Sequence, residues 1–241
     1  MKPKDLARLV KVYERWAKSI CAPIIFPDEA GHMHNGSITF IRTDSEVLGL
    51  TNSHVADGIT HCGDELGKRC QVGAAYFDPN WLIARHPVLD LATFHLSDVF
   101  LRQVDFANPV AAATVTTWPP KPPSEDDPVL YGGYPGSYRE QSNGSITVGF
   151  AWFAGKVQCV SQNNIGMVLD IANSVATSPE RIPPDADLGG WSGGSVFRVV
   201  EENLLERLEL TAIIYEYSNI YGIALAHPLT DLLPDGTFDH S

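Results

Sequence analysis

Three short motifs in the 241-residue chain hold side chains whose chemistry is useful only in company: an imidazole at His54, a carboxylate at Asp90 and a hydroxyl at Ser192. A serine hydroxyl is a weak nucleophile until a neighbouring base takes its proton, and an imidazole, titrating near neutrality, suits that task. In LGLTNSHVA the apolar run Leu48–Leu50 ends and delivers His54 into a turn beside Asn52 and Ser53. In HPVLDLATFHL the carboxylate of Asp90 opens an apolar strand, a costly place for a charge without a hydrogen-bond donor. In GGWSGGSVF the glycines around Ser192 permit a tight turn, close approach of a substrate and free backbone N–H groups, the architecture of a nucleophile with an oxyanion site. Singly, each has a plain alternative: a glycine-rich turn, a turn histidine bonded to backbone, a capping carboxylate. Their order and their strand context tie the three together.

These residues need a frame, and the sequence pattern supplies one of strands. From Asp5 to Ile20 the apolar residues Leu6, Leu9, Val10, Tyr13, Trp16, Ala17 and Ile20 recur at three- and four-residue steps, which predicts an amphipathic helix packed on the body. After Cys21 the chain turns to short runs rich in β-branched and aromatic residues between Gly, Pro, Asn and Asp: SITFIRT, VLGLTNS, VGAAYF, WLIAR and LDLATFHL. A stretch with Pro119, Pro120, Pro122 and Pro123 followed by Ser124–Asp127 reads as an exposed connection. Strands resume in PVLYGGY, ITVGFAWFAGKVQCVS, IGMVLDIA, GSVFRVV, LELTAIIYEY and YGIALAHP, interrupted by a Pro-containing loop from Asn173 to Gly190. The expected organisation is a helix over 1–21, a first β unit over 22–112, a linker over 113–127 and a second β unit over 128–241.

Composition agrees with a globular body and narrows the partners. Hydrophobic residues make up 44% and charged residues 19%, which excludes a disordered tail or a coiled coil. Acidic residues outnumber Lys plus Arg by 29 to 17, a formal charge of −12, so nucleic acid and anionic membranes are poor partners. No run reaches the roughly 18 apolar residues of a membrane span, and the charged N-terminus has no signal-peptide core. The expectation is a cytoplasmic protein whose cysteines, Cys21, Cys62, Cys70 and Cys159, remain thiols. His61, Cys62, Cys70 and Cys159 are zinc-ligand types, yet seven residues between Cys62 and Cys70 match no tight knuckle, so neither metal nor other cofactor is expected. His32 and His34 read as a solvated hairpin turn, and His86, His95 and His227 as structural.

The order TNSHVAD, LDLATFHL, GGWSGGSVF resembles the chymotrypsin-like (trypsin-like) serine peptidase superfamily over nearly the whole chain after Gly36. LYGGYPG and LTAIIYEYSNIYGIALAHPL are similar to the second barrel of leaderless and HtrA-type bacterial members, and no PDZ segment is expected to follow. The resemblance implies an all-β fold of two six-stranded antiparallel Greek-key barrels with an added N-terminal α-helix, the active site lying in the cleft between them. It implies Ser192 as nucleophile, His54 as general base and then acid, Asp90 as the group that orients the imidazole, and the N–H groups of Gly190 and Ser192 as oxyanion hole. The activity implied is that of a cofactor-free serine endopeptidase acting on a protein or peptide and restrained by a narrow cleft, a regulatory protein partner or a triggered rearrangement.

Departures from the family pattern matter equally. Trp191 stands where secreted zymogens carry the Asp that receives a new N-terminus, so no activation cleavage is expected. Val55 replaces a cysteine beside the histidine, and Ser195 replaces a proline after the two glycines. Counting back from Ser192, the specificity position falls on Ala186 or its neighbour Asp187, while Tyr215, Glu216 and Tyr217 stand on the opposite wall where relatives carry small residues; small apolar, aromatic and basic preferences all stay open. Trp191 keeps a second reading alive: if its bulk flips the Gly190 peptide, the fold is a latent or non-catalytic binding module. An esterase of another fold is weaker, because its G-x-S-x-G elbow demands strand-turn-helix and GSVFRVV reads as strand.

Overall fold

A computed structural model describes residues 3–65, 69–105, 108, 110–115, 117–142, 145–168, 189–202, 205–218 and 221–239. Helix α1 (Pro3–Ser19) leads into β1 (Cys21–Pro27), β2 (Met33–Arg42) and β3 (Val47–Asn52). Helix α2 (Ser53–Thr60) follows, then β4 (Cys70–Val72), β5 (Ala75–Phe77), β6 (Leu82–His86), β7 (Leu91–Leu96), helix α3 (Asp98–Val104) and β8 (Ala113–Thr114). The second half contains β9 (Pro128–Gly133), β10 (Arg139–Ser142), β11 (Ser145–Val148), β12 (Ala151–Val160), β13 (Ile165–Val168), β14 (Ser195–Glu202), β15 (Leu205–Ser218) and β16 (Ile223–Pro228).

The first-half strands form one curled sheet in the order β5-β4-β1-β2-β3-β7-β6, with β8 parallel to β2. The second half closes into a six-stranded barrel, β12-β13-β16-β15-β14-β9, with β10 and β11 as a separate hairpin. This is the all-β, two-barrel chymotrypsin-like architecture expected from the sequence, with its N-terminal helix. The first unit is a half-barrel whose outer strands β5 and β6 do not join among the described residues.

Alternation along β2 explains how one strand serves two purposes. Ile38 and Phe40 point into the core of the first half, whereas Ser37 and Thr39 point the other way, toward the second half, and all four are completely buried. A second core, including Tyr131, Phe153, Met167, Val196 and Ile214, fills the closed barrel. A third spans both halves: Leu48, Leu50 and Leu91 from the first sheet meet Phe197, Leu210 and Ile213 from the second, capped by Leu229, Leu232 and Phe238. Burying each such side chain contributes about 2 kcal/mol, so the halves are held as one unit. On α1, Trp16 packs edge-on against Phe197, ring centres 4.5 Å apart. The last residues bridge back to the first sheet, where Gly236 accepts a 2.5 Å hydrogen bond from Thr93 Oγ1.

Local departures from the sequence reading have local causes. VGAAYF is not one strand: Gly73, at φ +55°, turns β4 back into β5. ITVGFAWFAGKVQCVS is likewise β11 and β12. His54 sits in the first turn of α2 rather than a simple turn, because Val55, Ala56 and Ile59 supply a helical apolar face to the core. The leading helix runs Pro3–Ser19, close to the expected span. Helix α3 went unread in the sequence; Phe100, Leu101 and Val104 bury its face, and Ser97 caps it by accepting from Phe100 N at 3.1 Å.

Candidate active site

The strand β3 ends at Asn52, and α2 begins immediately, leaving His54 on the exposed side of the helix's first turn. Asn52 occupies the N-cap position without capping through its side chain; its Nδ2 instead donates to the Asp90 carbonyl at 2.9 Å. The Asp90 carbonyl also accepts from Ser53 N at 2.9 Å. Asp90 is thereby locked in the turn before β7 at φ +46°, a left-handed conformation that Asp tolerates better than most residues.

From that position its carboxylate reaches across to α2. Oδ1 accepts from the His54 backbone N–H at 2.9 Å and Oδ2 meets His54 Nδ1 at 2.6 Å. One carboxylate thus caps the helix that carries the histidine and orients the histidine's ring. Because a carboxylate can only accept, Nδ1 carries the proton, and in the neutral ring the lone pair is therefore on Nε2. Burial raises the affinity of Asp90 for a proton, but the His54 ring and backbone hydrogen bonds, with the nearby His54 and His227 charges, together outweigh it and hold the carboxyl below its ordinary range.

Ser192 is delivered by the turn before β14. Gly193, at φ +91°, admits no side chain: a Cβ there would run into the Ser37 carbonyl oxygen. Strand β2 of the other half fastens this turn along its length. Ser37 N donates to Ser192 O at 2.8 Å, Ser37 Oγ to Gly190 O at 3.1 Å, and Thr39 Oγ1 to Gly193 O at 3.0 Å. Strand β15 holds the other side through Gly193 N to Ile214 O at 2.9 Å and Ile214 N to Gly194 O at 2.8 Å. The turn also adjoins α2: a Cβ on Gly36 would lie 2.8 Å from Val55 Cγ1 and 3.5 Å from Ser192 O.

The Ser192 hydroxyl donates to the Tyr215 carbonyl at 3.1 Å, and among the described residues no hydrogen bond joins it to His54. The Gly189 carbonyl accepts from Gly136 N at 2.5 Å, and across a trans peptide the Gly190 N–H then points the opposite way. The N–H groups of Gly190 and Ser192 donate to no acceptor among the described residues. Trp191, 1% exposed, buries its indole in the closed barrel, edge-on to Tyr131, Phe153 and Tyr217, so its bulk is absorbed by the core rather than by the Gly190 peptide.

The wall residues part company. Tyr215 stacks on His227 and Tyr217 packs toward Trp191, while Glu216 is exposed. Ala186 and Asp187 lie outside the described residues. The imagined zinc ligands are not assembled: Cys62 and Cys70 pack together in the first core, Cys159 is exposed on β12, and His61 faces Glu29 at 3.4 Å. Among the described residues no cluster of three or more His, Cys, Asp or Glu is arranged to hold a metal ion, and no helix is long and apolar enough to cross a membrane.

Sequence reasoning missed Ser37 and Thr39, which fasten the serine turn from the other half, and Asn35, which packs against it. Their signal was a polar residue at every second position of an otherwise apolar strand, with no pairing partner nearby in sequence. Asn35 Nδ2 donates to Tyr134 O at 2.8 Å and stands against Gly190, where a Cβ would strike it.

No protein-family model and no curated protein matches the sequence. Solved structures do match in three dimensions. A serine endoprotease from Yersinia pestis superposes with a TM-score of 0.52 at 17% identity, over 90% of this chain and 62% of that one. This chain therefore spans less than two thirds of that relative's length. A thermostable serine protease, AL20, from an extremophilic microorganism superposes with a TM-score of 0.50 at 13% identity, over 88% of this chain and 93% of that one. At these identities the likeness is one of architecture, and the chain has the fold of serine proteases.

Proposed function

We propose that the protein is a serine endopeptidase of the chymotrypsin-like superfamily, acting through His54, Asp90 and Ser192. The observation that carries this reading is the double hydrogen bond from His54, ring and backbone, to one Asp90 carboxylate beside a serine turn with two undonated N–H groups. In the first half-reaction His54 Nε2 takes the Ser192 proton as Oγ bonds to the scissile carbonyl carbon. The carbonyl electrons move onto oxygen, and Gly190 N–H and Ser192 N–H donate hydrogen bonds to the resulting oxyanion; loss of one such donor typically costs about 3 kcal/mol of barrier. The proton passes from His54 to the leaving amine, the C–N bond breaks, and an acyl-serine remains. Water then repeats the sequence, with His54 as base, to release the acid and restore the hydroxyl. Asp90 keeps the Nδ1 tautomer and stabilises the imidazolium without itself taking the proton.

A second reading has a specific observation in its favour. The Ser192 hydroxyl is bonded to the Tyr215 carbonyl and not to His54, as a latent enzyme or a binding module of this fold would have it. Labelling of the purified protein by a fluorophosphonate, with Ser192→Ala and His54→Ala as controls, decides between the two readings. Labelling lost in both variants is the expected result. A folded protein that does not label is latent, and the peptidase reading then fails for the isolated chain. Peptide-library cleavage by a labelling enzyme would define its P1 preference.

A further inference from the structure

One residue of β15 is out of register. Ile214 pairs with Ala226 and Glu216 with Leu225, so Tyr215 is the extra residue of a β-bulge. A bulge frees its residue from the ladder and re-aims its side chain, usually for a purpose. Here the freed carbonyl is the one that accepts the Ser192 hydroxyl.

The Tyr215 side chain is clamped by a group the sequence reading set aside as structural. Its ring lies flat on the ring of His227, on the adjacent strand β16, with centres 3.9 Å apart and planes 11° from parallel. Both rings are pinned at their far ends by the turn between β12 and β13. His227 Nδ1 lies 2.6 Å from the Asn163 carbonyl and the Tyr215 hydroxyl donates to Asn164 Oδ1 at 3.0 Å. A carbonyl only accepts, so Nδ1 of His227 carries the proton.

We propose that His227 is a positioning residue for Ser192: by stacking on Tyr215 it holds the bulge whose carbonyl sets the direction of the serine hydroxyl. The proposal rests on the peptidase reading for its catalytic meaning, though not for its geometry. Asp90 and His86 face His227 from the β6–β7 side, with Asp231 beyond His86, and Tyr215 with Glu216 beside it faces from β15. Burial holds His227 toward its neutral form. Acidification charges His227 and introduces an attraction to the Asp90 carboxylate that competes with the Tyr215 stack, so the arrangement also makes the serine's orientation sensitive to acid.

The test uses the full chain and two readouts. Three-bond couplings across the Ser192 Cα–Cβ bond, measured by NMR, report the hydroxyl's rotamer whether or not the protein turns over substrate. Wild type is expected in one rotamer, His227→Ala in an average, and His227→Phe, which keeps a flat ring, in one rotamer again. Because the Tyr215 carbonyl holds the hydroxyl away from His54, fluorophosphonate labelling should rise about tenfold in His227→Ala, as the loss of an aromatic stack implies, and return to within about threefold of wild type in His227→Phe. Below pH 6 the labelling rate of wild type should decline less steeply than that of His227→Phe, whose hold on the bulge does not titrate. If His227→Ala does not fold, Tyr215→Phe, which removes only the Asn164 bond, should still give a partly averaged rotamer. A single unchanged rotamer in His227→Ala overturns the proposal, as does an equal change of labelling in the Ala and Phe variants. A wild-type protein that fails to label while His227→Ala loosens the rotamer removes the peptidase reading and leaves the positioning role standing.

Discussion

Removing the hydroxyl of Ser37 should damage stability and the serine turn together, although Ser37 belongs to the opposite half of the molecule. Its Oγ accepts from Tyr134 N at 2.9 Å and donates to Gly190 O at 3.1 Å, in a position with no exposure to water. Ser37→Ala leaves both partners in place with nothing to bond. A buried N–H left unpaired costs about 1–3 kcal/mol and a carbonyl that loses one bond about 1 kcal/mol, giving about 3 kcal/mol for the pair. For a chain of this size each kcal/mol lowers Tm by about 2–4 °C, so the melting temperature should fall by about 6–12 °C. The freed Gly190 peptide also bears on the proposed oxyanion site, where loss of one donor lowers rates by about 100-fold. A partial misplacement predicts fluorophosphonate labelling reduced between about 10- and 100-fold at a temperature where the variant is fully folded. Thermal denaturation and timed labelling measure the two effects. A Tm within about 1 °C of wild type would show that these hydrogen bonds do not fasten the turn, and the reasoning about β2 would be wrong.

Asp90→Asn should destabilise by about 1–2 kcal/mol in urea denaturation, because the neutral amide is a poorer cap for α2, and should lower labelling by about 10⁴-fold, because an amide N–H facing Nδ1 favours the wrong tautomer. Since the folded Asp90 binds its proton less tightly than the ordinary carboxyl at 3.8, its stabilising contribution is complete above that pH and is lost as pH falls toward the lower folded value; Asp90→Asn should flatten that part of the acid-denaturation curve. His227 behaves similarly at higher pH: neutral in the fold and easier to protonate when unfolded, it should make stability decline as pH drops below about 6.5, a decline that His227→Phe removes in pH-dependent melts. Of the four cysteines only Cys159 is exposed, whereas burial pushes the thiol of Cys21 up to about 12 and raises that of Cys70 as well. One equivalent of thiol should therefore react quickly with a disulfide reagent in the native protein, absent in Cys159→Ser, with the others following only on unfolding.

Local sequence signals carry the elements and the candidate reacting groups. Period-two alternation in SITFIRT and LDLATFHL, the helical spacing up to Ile20, and the glycines around Ser192 are local signals, because strand pleat, helix pitch and positive φ are set by neighbouring residues. The His54, Asp90 and Ser192 motifs were legible for the same reason. How each is held depends on tertiary packing. Asp90 caps a helix 36 residues away, Ser37 holds a carbonyl 153 residues away, and Thr39 another 154 away. No local pattern encodes such bonds, since they depend on how two sheets pack. The bulge at Tyr215 is of the same kind: a strand's pattern shows its faces, but which residue drops out of register, and that His227 stands ready to hold it, emerges only when β15 is laid against β16 and the closed barrel brings the turn of Asn163 and Asn164 over both rings.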